Sequence, residues 1–198
     1  MKFCGLFLVV FGFTAANLGL ARAADYTIDP VHSSITFKVK HLSISYVMGK
    51  FSTFSGTFKF DEKNVPASKV KVTIDPSSVD TGEPARDKDL RSDNFFEVAD
   101  YPTATFVSTK VTDMTDNKFQ IMGNLTLHGI TKPVVLDTEF LGAADDQQGH
   151  HVAFEASTEI NRQDYDVSFN VTLDHGGVLV DDHVKLMFEI EALQDVKK

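Results

Sequence analysis

His41, Arg86, Asp87, Arg162, Asp164 and the adjacent His150 and His151 are the residues whose types and spacing could carry chemistry. His41 ends a run in which Phe37 and Val39 share its phase, so its ring belongs to the apolar face. It could meet a polar group held there, or bond a neighbouring carbonyl or carboxylate, as buried polar side chains generally do. Arg86 carries a fork suited to phosphate or carbonyl oxygens. Asp87 beside it fits the first turn of a helix, where a carboxylate complements the dipole. Arg162 and Asp164 lie two apart and could pair with each other or with that helix. His150 and His151 would point to opposite faces of a strand and cannot easily share an ion. His175, His183 and Asp181-Asp182 add no His-x-x-x-His spacing, and no Cys ligand accompanies them, so no metal site is expected. For catalysis there is no Gly-x-Ser-x-Gly, no phosphate-cradling glycine loop and no cysteine beyond Cys4. The chain reads as a non-enzyme without a cofactor.

The elements that must position these residues are strands. Ser34 to His41 sets Ile35, Phe37 and Val39 against Thr36, Lys38 and Lys40. The same period of two recurs in Lys69 to Asp75 (Val70, Val72, Ile74), Lys118 to His128 (Phe119, Ile121, Leu125), Val134 to Phe140 and Val152 to Ile160, where Phe154 faces inward. Val184 to Ala192 places Leu186, Phe188 and Ile190 opposite Lys185, Glu189 and Glu191. Two further runs are less regular. Lys50 to Asp61 carries Phe54, Phe58 and Phe60 in one phase and Phe51 in the other, which predicts a bulge near Ser55-Gly56. Ala104 to Thr112 contains Phe106. Leu42 to Met48 could be a short helix or a turn. Pro84 opens a helical stretch to about residue 92, with Phe95-Phe96 beyond it.

Eight strands joined by hairpin-length turns predict an all-β chain, an eight-stranded antiparallel up-and-down barrel. Such a barrel is either filled by its side chains or encloses one small ligand. A cavity walled by Phe and aliphatic residues and roughly 25 Å tall would suit a long apolar molecule.

Lys2, the uncharged run Phe3 to Leu20 and Ala21-Arg22-Ala23 have the order of a cleaved export leader, residues 1–23, leaving a single domain over 24–198. The mature protein is then expected in the periplasm or secreted. The net charge of −9 becomes −11 without Lys2 and Arg22, which argues against nucleic acid or an anionic membrane surface as partner.

Several motifs recur in order along the chain. They are Asp29-Pro30-Val31-His32-Ser33-Ser34-Ile35, Phe37-Lys38-Val39-Lys40-His41, Gly49-Lys50-Phe51, Arg86-Asp87, Leu90-Arg91-Ser92, Tyr101-Pro102-Thr103-Ala104-Thr105-Phe106, Gly123 to Pro133 and Asn161-Arg162-Gln163-Asp164-Tyr165. In these the chain resembles the YceI-like family of exported lipid-binding proteins. The resemblance implies a lipocalin-like barrel with a long apolar channel, closed partly by a helical segment, and an isoprenoid, quinone-like or fatty amphiphile as ligand. It departs from the family pattern at Asp89 and Asp166, near the expected channel mouth. The expected ligand contacts are Phe37, Val39, His41, Phe58, Phe60, Val72, Ile74, Arg86, Phe95, Phe106, Phe154, Arg162 and Phe188. The alternatives are an enzyme acting on such a lipid through His41 or Asp164, and an interaction module with a solid barrel. Dimerisation is left open.

Overall fold

Alternating apolar residues close the chain on itself. The computed structural model describes residues 23–173 and 177–196. The leader segment before residue 23, and His175, lie outside them. Eleven strands form one sheet in the order β1-β4-β5-β7-β8-β9-β10-β11-β2-β3-β6, and pairing of β1 with β11 closes it. Every pairing is antiparallel.

Three staves of the barrel are broken. β1 (Ala24–Ile28) and β2 (Ser34–His41) follow one another along the edge of β11 (Val180–Gln194). β3 (Ser45–Phe51) and β4 (Phe54–Phe60) make the next stave, and β5 (Lys69–Ile74) with β6 (Val79–Asp80) the third. β7 (Ala104–Val111), β8 (Lys118–Leu127), β9 (Ile130–Asp145) and β10 (His150–Asn161) complete the eight-stave barrel predicted from the sequence.

Three local expectations are corrected. β1 was not foreseen; it alternates only Tyr26 and Ile28 against Asp25 and Thr27, too short a run to stand out. Leu42 to Met48 is neither a helix nor all turn. Leu42 and Ser43 take positive φ of 53° and 61°, the chain reverses, and β3 begins at Ser45. The phase change among the phenylalanines falls at Ser52-Thr53, between β3 and β4, and not at Ser55-Gly56. Gly56 serves a close approach instead: a Cβ there would lie 2.6 Å from Ile28 Cδ1 and 2.9 Å from the Lys71 carbonyl oxygen.

The one α-helix among the described residues, α1 (Pro84–Arg91), begins where Pro84 predicts, and the Glu83 side chain accepts from the Ala85 N–H as its cap. It covers one end of the barrel, where β3 pairs with β6 only through Lys50 and Phe51 and β7 starts further along. That end also carries the β2–β3 turn, the β8–β9 turn and residues 162–173 and 177–180. The opposite end holds residues 60–69, 111–118 and 145–150.

Candidate functional site: an apolar channel through the barrel

Inward residues of every stave surround a cavity of about 200 Å³. Its wall runs the length of the barrel, from Phe60 and Ser68 at one end to Leu90, Phe95 and Val167 under the helical cover. This free volume is below the ~300–1,000 Å³ of typical ligand sites. So small a void along a wall that spans the barrel takes a long guest only where wall rings turn aside.

Aromatic rings close the far end. Phe154 lies 5.6 Å from Phe58, 5.0 Å from Phe60 and 5.3 Å from Phe140, centroid to centroid, and Tyr26 stacks on Phe58 at 5.3 Å. Edge-on and tilted contacts of this kind stabilise beyond simple burial. The covered end has a thinner aromatic layer: Phe37 on Phe51 at 5.6 Å, Phe51 on Phe96 at 5.8 Å, and Phe95 on Phe169 at 5.3 Å.

Of the residues singled out from the sequence, Phe37, Val39, Phe58, Phe60, Val72 and Ile74 line the cavity. So do Phe95, Phe106, Phe154, Arg162 and Phe188. His41 and Arg86 do not. His41 stands at the rim, one alternation beyond Val39 and opposite Ser45 and Val180. Arg86 is exposed, and its guanidinium is committed to the fold: Nε donates to Thr81 Oγ1 at 2.8 Å and an Nη to the Thr81 carbonyl at 3.0 Å. Buried Asp87 accepts from the N–H and hydroxyl of the same Thr81. Arg91 donates to the carbonyls of Ser77 and Val79, both at 2.6 Å. The Arg-Asp and Leu-Arg motifs therefore staple α1 to the third stave.

Arg162 touches the channel only as a wall. Its head is buried, and its donors go to the carbonyls of Asp181, Val167, Phe169 and Val180 and to Asp182 Oδ1 at 3.1 Å. Its partner is Asp182 rather than Asp164, because residues 162–165 form a 3-10 turn that leaves Asp164 exposed. Every N–H of the fork is used, so none is left for a head group.

Sequence reasoning missed three wall hydroxyls. Thr158 is half-buried, and Thr138 is buried with its Oγ1 3.4 Å from the Leu136 carbonyl. Ser68 Oγ is buried without a protein partner. Only its place beside Val65 and Pro66, in a polar turn, could have marked it. Two glycines seat wall rings: a Cβ at Gly49 would lie 2.4 Å from the Phe37 ring, and one at Gly123 2.4 Å from the Phe106 ring.

Other motif residues hold corners. The His128 ring packs 4.3 Å from Tyr101, and its Nδ1 is 3.1 Å from the Tyr165 carbonyl. Burial pushes the Tyr165 hydroxyl up to about 12. His150 meets Asp145, and His151 bridges Asp146 and Glu191. Asp29, His32 and Glu191 are the one cluster among the described residues with the spacing of a metal site. The His32–Asp29 hydrogen bond, at 2.7 Å, already accounts for two of the three.

Comparison with known proteins agrees with this architecture. A UPF0312 protein of Vibrio parahaemolyticus is 47% identical over 150 residues, 74% of this chain and 79% of its own length. Protein YceI of Salmonella newport is 45% identical over 190 residues, covering 92% and 96%. Among solved structures, BcnA of Burkholderia cenocepacia superposes with a TM-score of 0.72 at 25% identity, covering 83% of this chain and 98% of that one. A polyisoprenoid binding domain from Saccharophagus degradans shares the fold, with a TM-score of 0.60 at 18% identity, covering 88% and 100%. The YceI-like domain matches residues 26–192, and the chain belongs to that family.

Proposed function

We propose that this protein is a binding protein of the periplasm or the secreted fraction, released from its leader near Ala23/Ala24. It holds a long isoprenoid, quinone-like or other amphiphilic chain in the barrel channel. The observation that carries this reading is the wall: apolar side chains line it from the aromatic plug to the helical cover. Each buried methylene contributes about 0.8 kcal/mol, so a chain of modest length binds without a polar anchor. The Saccharophagus degradans fold neighbour is described as a polyisoprenoid binding domain, which is consistent with such a guest.

An enzyme acting on the same lipid would need an acid or base at the wall. The lining residues include no His, Asp or Glu, their Lys59 is paired with Asp25 at 3.3 Å, and His41 and Asp164 lie outside them. That weighs for a carrier without chemistry of its own.

The test is native mass spectrometry of the protein from its own source, followed by displacement with a homologous series of prenols. A retained lipid is expected, with affinity that climbs with chain length until the channel fills and then levels. An affinity independent of length, or turnover of the lipid, would overturn the reading.

A further inference from the structure

The β2–β3 hairpin rises at the covered end of the barrel with an outward face unlike the rest of the molecule. Ile44, Tyr46 and Met48 recur at every second position, and they are 83%, 57% and 57% exposed. On β2, Lys40 lies opposite Tyr46 and Lys38 opposite Met48, and Lys185 of β11 lies opposite Lys38. The Lys38 ammonium sits 4.1 Å from the centre of the Tyr46 ring and that of Lys40 at 6.0 Å. None of these three lysines has a carboxylate partner among the described residues. Of the nearby acids, Asp182 pairs with Arg162 and Asp80 with Lys50, Asp181 accepts from the His183 N–H, and Glu159, across from Lys185 on β10, meets the His183 ring at 3.3 Å. The outer edge of β3 is unpaired from Ser45 to Gly49. Val171 and Val178, 45% and 36% exposed, extend the apolar rim, joined to the hairpin by the hydrogen bond from the Leu42 N–H to the Leu179 carbonyl.

We infer that this hairpin face docks the protein on an anionic lipid bilayer, beside the seam through which the channel fills. The inference rests on the proposed lipid-binding function, since a guest insoluble in water must be taken from a membrane. The surface has interfacial chemistry: an aromatic ring with a polar tip, flexible apolar side chains, and lysines that keep their ammonium groups outward. The net charge of −11 without Lys2 and Arg22 by itself speaks against an anionic surface. Charge beyond ~8 Å is largely screened at physiological salt, so the hairpin's own lysines decide the local field. The same lysines disfavour a second copy docked face to face, because they would oppose one another. The seam is close by: β3 pairs with β6 through two residues only, Phe96 packs on Phe51 there, and Phe95 and Leu90 of the cover line the cavity.

Sedimentation with vesicles of phosphatidylglycerol and phosphatidylethanolamine tests the proposal, with phosphatidylcholine vesicles as control. The variants are Lys38→Glu/Lys40→Glu and Tyr46→Ser/Met48→Ser, all outward-facing, with folding checked by thermal melting. The charge variant should bind the anionic vesicles at least about tenfold more weakly, since each lysine near such a surface is worth roughly fivefold. Both variants should capture a dansylated long-chain prenol more slowly from vesicles, yet retain it normally when it is delivered from detergent. Wild-type vesicle binding by both variants overturns the inference. So does a wild-type dimer that ignores vesicles and is lost in the variants, which would assign the face to a second copy. Vesicle binding without prenol capture from either source would instead sink the lipid-binding function and leave the docking face standing.

Discussion

Gly123→Ala separates a shaped channel wall from a merely apolar one. Gly123 is buried in β8, and an added Cβ would meet the Phe106 ring at 2.4 and 2.5 Å and the Val107 carbonyl oxygen at 2.7 Å. Ordinary carbon contacts begin near 3.5 Å, so the ring must retreat by about 1 Å. The carbonyl belongs to β7, whose pairing with β8 resists a shift. The ring's remaining direction is into the cavity. Overpacking of this kind costs about 1–3 kcal/mol, against about 0.4–1 kcal/mol gained from a less flexible unfolded chain, so destabilisation wins. For a protein of this size each kcal/mol lowers Tm by about 2–4 °C. A displaced ring also takes guest volume from a void of about 200 Å³, so the rise in Tm on adding a prenol should shrink. Phe106→Leu removes the outer ring atoms, so the double variant should be more stable than the two single losses added together. The assay is thermal melting of the four proteins with and without prenol. A Gly123→Ala protein with unchanged Tm and an unchanged ligand-induced rise would refute the reasoning, as would strict additivity.

Arg162→Met should cost about 3 kcal/mol in urea unfolding, the lower end for removing one partner of a buried pair, because half-exposed Asp182 stays hydrated. Amide exchange should quicken at Val167 and Phe169, whose carbonyls lose their donor; unchanged exchange would place the anchoring elsewhere. Ser68→Val removes the buried, unpartnered hydroxyl of a channel-lining residue, so affinity for a plain hydrocarbon chain should rise, and a fall in a displacement assay would show that the hydroxyl contacts the guest. The hydrogen bond between His32 and Asp29 raises the histidine pKa and lowers that of the carboxyl. The histidine's contribution is therefore complete below its ordinary pKa and fades as pH rises through the raised value; that of Asp29 is present above the ordinary carboxylate range and fades as pH falls through the lowered one. An NMR titration of His32 should move back to the ordinary histidine range in Asp29→Asn, and no movement would assign the shift to Glu191.

The apolar and the polar residues of the sequence carried unequal information. A wet face and an apolar face make a strand visible, so Ser34–His41 and the paired faces of β5, β8, β10 and β11 are legible residue by residue. The same alternation identifies most of the wall, since in a closed barrel a stave with one wet and one apolar face turns the apolar face inward. Polar residues obey no such rule. Whether Arg162 is free to meet a guest depends on the carbonyls of Val167, Phe169, Val180 and Asp181, which a loop brings back to it. Arg86 is spent on Thr81, and His128 on Tyr165 and Tyr101, through turns whose geometry no pattern announces. His41 shares the phase of the wall yet misses the cavity, because phase fixes a face and not a depth along the barrel axis. The hairpin was hidden for the opposite reason: Ile44, Tyr46 and Met48 alternate as a buried strand would, yet this phase shares the outward face of Lys38 and Lys40. The motifs that carried the resemblance hold both kinds of residue: Phe37, Val39, Phe51 and Phe106 line the channel, while Arg86, Arg91 and His128 sit at staples and corners. A search for this site by its polar side chains finds the scaffold first, because a buried donor in a folded chain is nearly always already taken.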